Sequence, residues 1–348
     1  MIKRLFIVTL CVLIITQLCS CSNVNNAKVE KEKSEMDTVI SLTAYGTNAS
    51  KAIDAAFNRI AEIEQMASTS IDTSDVSRIN QAAGKGYVKV HPETFKMIET
   101  SIKYNKLTDG AFDITIGSLI KLWAIGTENE RVPAEEEINS KLPLVNSGKI
   151  SVNSEDSSVK LMEEGMSIDL GGIAKGFAAD EVLNIFRSYG IKSALINMGT
   201  SSIYALGHKL DGTPWSVAIQ HPRKSDGNEF LCVLKLPEQA LSSSGDYERY
   251  FIKDGKRYHH ILSPTTGCPA DSGVMSDTIV IDSSIPDCNM IADILTKATF
   301  ILGVDKGFRI IDGMPGVACL AVTTDYKIYK SSNWKLPLDN VSSDFEVK

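Results

Sequence analysis

The chain has 348 residues, of which 43% are hydrophobic and 23% are charged, and its formal net charge at pH 7 is −7. This length supports a large core or two lobes, and the composition is ordinary for a globular protein. The acidic balance, without a stripe of basic residues, argues against a protein that binds nucleic acid.

The first element is predicted to be an export signal. The basic stretch Met1–Arg4 precedes the apolar run Leu5–Leu18, which at roughly 14 residues is shorter than the about 20 that a membrane-spanning helix needs. The end of this run, Leu18-Cys19-Ser20-Cys21, resembles the lipobox of bacterial lipoproteins. We therefore expect residues 1–20 to be removed and Cys21 to carry lipid, which anchors the protein to a membrane at its periplasmic or other extracytoplasmic face. The alternatives are an ordinary signal peptide cut elsewhere and a signal-anchor.

Behind the signal, residues 21–35 have little apolar content and are predicted to form a flexible tether. Residues 36–340 are predicted to form the folded domain. Its first part is predicted to contain a strand, three helices and a loop, at Met36–Gly46, Asn48–Met66, Ser74–Gln81, His91–Leu107 and Thr108–Trp123.

The second part begins with a predicted hairpin at Lys149–Leu170. Helices are predicted at Phe177–Tyr189 and Asn289–Leu302. Short strands are predicted at Ala194–Asn197, Ile203–Leu206, Trp215–Gln220, Phe230–Lys235, Tyr247–Lys253, Thr278–Ile281, Val317–Thr323 and Tyr326–Ser331. Because helices and strands mix without strict alternation, we expect an α+β fold rather than a doubly wound parallel sheet.

A glycine-rich turn, Ser167–Gly176, follows the predicted hairpin and opens a predicted helix. Its glycines let the backbone approach a ligand, and the helix N–H groups favour an anion. The spacing is neither that of a Walker loop nor that of a dinucleotide fold. Such a turn is often only structural, but Asp169 and Lys175 within it favour a ligand site.

Two further segments carry side chains that could bind a metal or take part in catalysis. Asp293, Thr296 and Lys297 share one face of a predicted helix, and carboxylate and hydroxyl oxygens suit Mg²⁺. The alternative for this face is simple exposure to solvent. His259 and His260 are adjacent on a predicted strand and point to opposite sides, so at most one of them faces a given site.

Taken together and in this order, these segments resemble the ApbE family of FAD:protein FMN transferases. The resemblance begins at Met36 and runs past Gly303. The motifs that carry it are Ala111-Phe112-Asp113, Asp169–Gly176, Ser243-Ser244-Gly245-Asp246-Tyr247, the turn at His260, and Ala292-Asp293 with Leu302-Gly303. It implies an α+β, T-fold-like domain with mixed or antiparallel sheets and flanking helices.

The resemblance also implies roles for individual residues. FAD, the substrate, is expected to contact Met36, Ser70, Ala111, Phe112, Asp113, Asp169, Lys175 and Ile261. Mg²⁺ is expected at the backbone carbonyl of Gly172, with Asp293 as the catalytic metal ligand and Thr296 as a further ligand. His260 is expected to be the catalytic base that takes a proton from a threonine or serine hydroxyl of an acceptor flavoprotein. The implied reaction joins FMN to that hydroxyl through a phosphoester and releases AMP.

The chain departs from the family pattern at Lys297, at Ser70 and at Asn197-Met198-Gly199-Thr200, where the family has Asn-Leu-Gly-Gly, and the first two departures bear on the reaction. Lys297 stands where the family commonly has a metal-ligating threonine, and an ammonium group cannot coordinate Mg²⁺. Ser70 stands where many of the transferases have a tyrosine that covers the adenine. These departures keep two alternatives open: a Mg²⁺-dependent FAD pyrophosphatase that produces FMN and AMP, and an FAD-binding lipoprotein without efficient turnover.

Overall fold

A computed structural model describes residues 27–199, 201–224 and 229–348. The predicted signal at 1–20 and the predicted lipid site at Cys21 lie outside the described residues. Within these ranges, no helix combines the length and the apolar character needed to cross a membrane.

Helices and strands alternate irregularly along the chain. The α-helices are α1 (Ala49–Ala67), α2 (Asp75–Gln81), α3 (Pro92–Leu107), α4 (Gly117–Trp123), α5 (Glu135–Lys141), α6 (Ala174–Ser188) and α7 (Cys288–Asp312). The strands are β1 (Lys28–Glu35), β2 (Thr38–Tyr45), β3 (Val88–Lys89), β4 (Ile150–Asn153), β5 (Ser158–Leu161), β6 (Ala194–Met198), β7 (Ser202–Leu206), β8 (Trp215–Gln220), β9 (Phe230–Leu236), β10 (Gln239–Gly245), β11 (Tyr250–Lys253), β12 (Lys256–His259), β13 (Val274–Asp282), β14 (Val317–Thr323), β15 (Lys327–Lys330) and β16 (Glu346–Val347). This mixture confirms the predicted α+β class.

A nine-stranded sheet forms the centre of the molecule, in the order β1-β2-β6-β7-β10-β13-β14-β15-β16. Its pairs are antiparallel except for β15 with β16. Side chains alternate between its faces, so Tyr204 packs among α1, α6 and α7, whereas Ile203 and Ala205 pack against the β8–β9 hairpin. The sheet is therefore covered by helices on one face and by a hairpin on the other.

The helical layer follows from the apolar spacing of its sequence. In α1, Ile53, Phe57, Ile60 and Ile63 recur every three or four residues, and all are fully buried. Burying each such side chain contributes about 1.5–3 kcal/mol, so this stripe fixes α1 against the sheet.

The predicted tether is wrong for part of its length, because Lys28–Glu35 form β1, paired along its whole length with β2. Pairing rests on backbone hydrogen bonds, and charged side chains suit an exposed edge strand. The fold also extends beyond the predicted end at residue 340, since β16 pairs with β15.

Three further elements differ from the prediction. The expected loop over Thr108–Trp123 contains α4. Strand β10 has a polar sequence with three serines, which gives no apolar alternation to detect. The predicted helix end at Leu302 marks a kink at Gly303, with φ 78° and ψ 176°, after which the chain continues as helix to Asp312.

Candidate active site

The glycine-rich turn and helix α7 meet at the start of α6. The backbone N–H of Gly176 donates to Oδ2 of Asp293 over 2.8 Å. A Cβ on Gly176 would lie 2.3 Å from the backbone oxygen of Asn289, so only glycine permits this approach of the two helices. The structure thus brings together two segments that are more than a hundred residues apart in the sequence.

Asp293 is fully buried and is held by donors from three elements. Besides the bond from Gly176, its Oδ1 accepts hydrogen bonds from the hydroxyls of Ser202 on β7 and Ser242 on β10, the latter over 2.7 Å. The sequence analysis missed both serines, although Ser242 directly precedes the family-like segment Ser243–Tyr247. The carboxylate therefore fastens α7 to the sheet and to the start of α6.

Lys297 lies beside this carboxylate, one helical turn after Asp293. Its Nζ is 3.9 Å from Oδ1 of Asp293 and 3.3 Å from Oγ1 of Thr296. Thr296 is fully buried, and its hydroxyl donates to the backbone oxygen of Asp293 over 2.9 Å. A Cβ on Gly172 would lie 3.9 Å from Cγ of Lys297, so the lysine stem runs past the glycine predicted to bind metal.

This donor set does not fit a Mg²⁺ ion held between Gly172, Asp293 and Thr296. Mg²⁺ demands oxygen ligands in near-octahedral geometry, but three of the about four lone-pair sites of the Asp293 carboxylate already accept protein hydrogen bonds, from Gly176, Ser202 and Ser242. The ammonium of Lys297 adds a positive charge where the cation is expected. Over the described ranges, no three histidine, cysteine or acidic side chains are grouped so that they could hold a metal.

Positive charges gather at this place in an otherwise acidic protein. Burial lowers the pKa of Lys175, the charge of Asp293 opposes this shift most strongly, and the charges of Lys297 and Arg249 add to it while that of Glu248 opposes it. Three cations within electrostatic reach of one another favour an anionic ligand such as a phosphate. Arg249 was not among the predicted site residues; it follows the family-like segment Ser243–Tyr247 by two positions.

His260 lies at the end of the β11–β12 hairpin and faces this cationic group. Its backbone N–H donates to the backbone oxygen of Arg249 over 3.0 Å, and its Nδ1 lies 3.3 Å from the same oxygen. Because a carbonyl oxygen only accepts, Nδ1 carries the ring proton and Nε2 is left as an acceptor. Burial, followed by the charges of His259, Arg249 and Lys297, lowers the pKa of His260 to about 3, so the ring is neutral at pH 7.

His259 has a different environment, as the alternation along a strand predicts. Its Nε2 donates to the backbone oxygen of Ala270 over 3.0 Å, and its ring packs edge-on against Phe300 with centroids 5.4 Å apart. The next residue, Ile261, is buried in an apolar cluster with Ala270 and Phe300. His259 is thus a structural residue, and His260 is the histidine available to a site.

The Ala111–Asp113 loop packs against the glycine-rich turn. Ala111 and Phe112 are buried, and a Cβ on Gly172 would lie 3.1 Å from Cε2 of Phe112. The carboxylate of Asp113 accepts hydrogen bonds from the backbone N–H groups of Thr115, over 2.8 Å, and Ser147, over 3.0 Å. Asp113 therefore orders the loop, and its direct contact with FAD stays a prediction.

Asp169, within the glycine-rich turn, joins the turn to the chain that follows this loop. Its backbone N–H donates to the oxygen of Ile114 over 2.8 Å, and its Oδ1 accepts from the N–H of Gly171 over 2.7 Å. Burial raises its pKa, while the charges of Arg249 and Lys121 lower it. Asp169 is thus electrostatically linked to Arg249 of the cationic group and to Lys121, which lines a neighbouring cavity.

That cavity has a volume of about 640 Å³ and lies between α2 and α4. The size suits a small-molecule site, which commonly measures about 300–1,000 Å³. The buried hydroxyls of Ser118 and Ser167, both in its lining, have no hydrogen-bond partner among the described residues. Ser70 is exposed and directly follows Thr69, which lines the cavity. The cavity can therefore take a polar ligand.

Met36 lies in the two-residue turn between β1 and β2, and the charge of the next residue, Asp37, acts on Asp169. Met36 and Asp37 have φ values of 53° and 58°, the conformation of a tight hairpin turn that usually favours glycine or asparagine. Met36 is half-buried against the main core. The predicted contact of Met36 with FAD stays a prediction.

The chain is similar to known proteins over most of its length. The sequence pattern of the ApbE family matches residues 36–321. The chain is 33% identical over 291 residues to the FAD:protein FMN transferase of Klebsiella pneumoniae (strain 342), which covers 84% of this chain and 88% of that protein. It is 31% identical over 294 residues to the FAD:protein FMN transferase of Treponema pallidum (strain Nichols), and this match covers 81% of this chain and 79% of that protein.

Solved structures show the same similarity in three dimensions. The ApbE protein of Thermotoga maritima superposes with a TM-score of 0.77 at 30% sequence identity, covering 90% of this chain and 97% of that chain. The flavin transferase ApbE of Vibrio cholerae superposes with a TM-score of 0.78 at 27% identity, covering 88% and 98%.

Proposed function

Since the chain belongs to the ApbE family, we propose that it is a FAD:protein FMN transferase, which moves the FMN part of FAD to a threonine or serine of an acceptor flavoprotein and releases AMP. The assignment to the transferases rests on the relatives that carry this name. The single structural observation that supports the reaction is the ring of His260, whose Nδ1 donates to the backbone oxygen of Arg249 over 3.3 Å and whose Nε2 is thereby left as a proton acceptor. When a hydroxyl attacks a phosphate, a base takes the hydroxyl proton and nearby cations stabilise the charge on the phosphoryl oxygens.

The residues of the site can divide the reaction between them. Nε2 of His260 takes the proton of the acceptor hydroxyl as its oxygen bonds to the FMN-side phosphorus. The bond from that phosphorus to the bridging oxygen breaks, and AMP leaves with the electron pair. Lys175, Arg249 and Lys297 balance the negative charge on the phosphoryl oxygens. Asp293 acts as a positioning residue, because it holds the start of α6 and the site strands in place.

Mg²⁺ at Gly172, Asp293 and Thr296 remains a prediction from the family resemblance. The residues around Asp293 do not fit that ion, as described above, so no step of the reaction is assigned to a metal.

A second candidate function is hydrolysis of FAD to FMN and AMP by the same site. Ser70 favours it, because this small, exposed side chain stands where many of the transferases have a tyrosine that covers the adenine. In that case water replaces the acceptor hydroxyl as the nucleophile.

The experiment that separates these functions is incubation of the purified protein with FAD and a threonine-bearing acceptor protein, with and without Mg²⁺. Transfer predicts flavin fluorescence that stays with the denatured acceptor. Free FMN and AMP without labelled acceptor support hydrolysis. Unchanged FAD under all conditions contradicts both reactions and leaves a flavin-binding protein.

We also propose that lipid on Cys21 anchors the enzyme to a membrane on its extracytoplasmic side. The support is the order of residues in the N-terminal segment, which lies outside the described structure. In cells, the Cys21→Ala variant should move from the membrane fraction to the soluble exported fraction. An unchanged distribution contradicts the anchor.

A further inference from the structure

A second buried acid lies near Lys297, on the central sheet. Asp277 on β13 is fully buried, and its Oδ2 accepts a hydrogen bond from the hydroxyl of Thr299 on α7. Its Oδ1 has no hydrogen-bond partner in the described part of the chain. A buried carboxyl is costly unless it is paired. Burial raises the pKa of Asp277 well above its usual value, and the charge of Lys297 acts against that rise.

Lys297 thus lies within electrostatic reach of two fully buried acids, Asp277 from the sheet and Asp293 from its own helix. Its side chain is only 20% exposed. The side chain of Lys297 therefore already places a positive charge where a second cation would have to bind.

We propose that the ammonium of Lys297 is a resident cation, which supplies at the pyrophosphate of FAD the positive charge that a divalent metal otherwise brings. The proposal rests on the proposed function, because it concerns the same site and the same reaction.

The geometry of Asp293 supports this substitution. A Mg²⁺ ion bound by its carboxylate would lie about 2.1 Å from the oxygen. Nζ of Lys297 lies 3.9 Å from Oδ1 of the same carboxylate, so the ion and the ammonium would stand close together and repel each other. Hydrogen bonds from Gly176 and Ser242 already orient the carboxylate, so it does not need a metal to fix it.

The ammonium can also do the required chemistry. It carries three N–H donors, which can reach phosphoryl oxygens directly and stabilise the charge that builds up there. The bonds made and broken are those of the proposed transfer, and Lys297 keeps its protons throughout. The acceptor proton goes to His260, and the electron pair of the broken bond leaves with AMP.

The test compares wild type, Lys297→Thr and the double variant Asp277→Val/Lys297→Thr, all stripped of metal by chelation and desalting. Mn²⁺ binding is measured by electron paramagnetic resonance, and FMN transfer to the acceptor protein is measured with EDTA or with Mg²⁺. Lys306→Thr, at an exposed lysine of the same helix, is the matched control.

We expect wild type to bind no Mn²⁺ at the site and to transfer FMN equally well with EDTA and with Mg²⁺. Lys297→Thr should lose about 100-fold or more of the metal-free rate. It should also bind Mn²⁺ and regain transfer when Mg²⁺ is added. The Lys306→Thr control should behave as wild type in every assay.

The double variant distinguishes loss of the ammonium group from a defect in folding. In the Lys297→Thr variant, Asp277 stays buried without its counter-charge, so the melting temperature of this variant should fall below that of wild type. The added Asp277→Val change in the double variant removes the buried acid and should restore the melting temperature. Stoichiometric Mn²⁺ binding by wild type, together with loss of its transfer in EDTA, overturns the resident cation while the transferase stands. Absence of transfer by every variant with every metal overturns the proposed function, and Mn²⁺ binding still decides the role of Lys297.

Discussion

His260 and His259 are neighbours in sequence with opposite environments, and this contrast can be tested. Replacing His260 by Gln should lower the rate of FMN transfer by about 10²–10⁴-fold, because a general base is lost. The affinity for FAD should change little. Single-turnover transfer and titration with FAD measure the two quantities. The control is His259→Gln, which should retain transfer because His259 bonds to Ala270 inside the fold.

The low pKa of His260 predicts an unusual pH dependence. Since the folded protein keeps the ring neutral down to about pH 3, protonation of this base should not reduce kcat/KM for FAD between about pH 7 and 5. Replacing Arg249 by Leu removes one of the charges that lower the pKa of His260, so it should move the acidic limb of the profile toward neutral pH. A wild-type limb near the ordinary value of 6.5 contradicts this account.

The sequence analysis predicted many residues that the structure brings together at the site. Gly172, Lys175, Asp293 and His260 were recognisable because motif and chemistry pointed the same way. The residues that hold them were not recognisable, because their partners depend on pairing across the sheet. Ser202, Ser242 and Asp277 are ordinary residues in sequence, and only strand order places them against α7.

At the level of elements, helix α7 begins in an unusual way. Its N-cap residue, Asp287, has φ 56° and makes no side-chain capping bond. The cap comes instead from α6, where Asp180 accepts from the backbone N–H groups of Asn289, over 3.1 Å, and Met290, over 2.9 Å. One carboxylate thus both caps α7 and joins it to α6.

The Asp180→Ala variant should lose about 1–3 kcal/mol of unfolding free energy, because buried N–H groups lose their acceptor. Burial raises the pKa of Asp180 from 3.8 to about 6, so this group's contribution is complete below about pH 4 and is lost as the pH rises through 6. The loss should therefore be larger at about pH 5 than at about pH 8, by about 1 kcal/mol. Denaturant unfolding at both pH values measures it.

The matched control is Asp287→Asn, at the adjacent N-cap position, where asparagine tolerates positive φ. It should leave stability nearly unchanged. A loss in Asp287→Asn equal to that in Asp180→Ala would mean that the cap does not come from α6.

Helices and strands were predictable from sequence where their buried apolar residues recur with a regular spacing. The apolar stripe of α1 gave its bounds within a residue or two, as did the alternation in β8. Strand β1 was missed because backbone pairing at an edge leaves no pattern in the side chains, and β10 was missed because its buried side chains include serines that serve the site.

At the scale of the whole molecule, β1 protects the edge of the central sheet. A variant that lacks residues 1–35 should expose the hydrogen-bonding edge of β2, where Val39 is already 56% exposed. We expect this variant to self-associate, whereas a variant that lacks only residues 1–26 should stay monodisperse. Sedimentation velocity at several concentrations compares them. Equal behaviour of the two would show that β1 is dispensable.

The overall architecture was only partly accessible from sequence. Mixed helices and strands indicated the α+β class, but no local pattern shows that one face of the sheet carries α1, α6 and α7 and the other a hairpin. That arrangement brings the glycine-rich turn, α7 and the end of the β11–β12 hairpin to one place, with a cavity beside them.

The most direct test of the transferase assignment is the ratio of AMP released to FMN attached, measured in one reaction with FAD and a threonine-bearing acceptor. Chromatography quantifies AMP, and mass spectrometry of the intact acceptor quantifies covalent FMN. The proposed function predicts one AMP for each FMN attached, and no attachment when the target threonine is replaced by alanine. AMP that appears with an equal amount of free FMN, and an acceptor of unchanged mass, would contradict it.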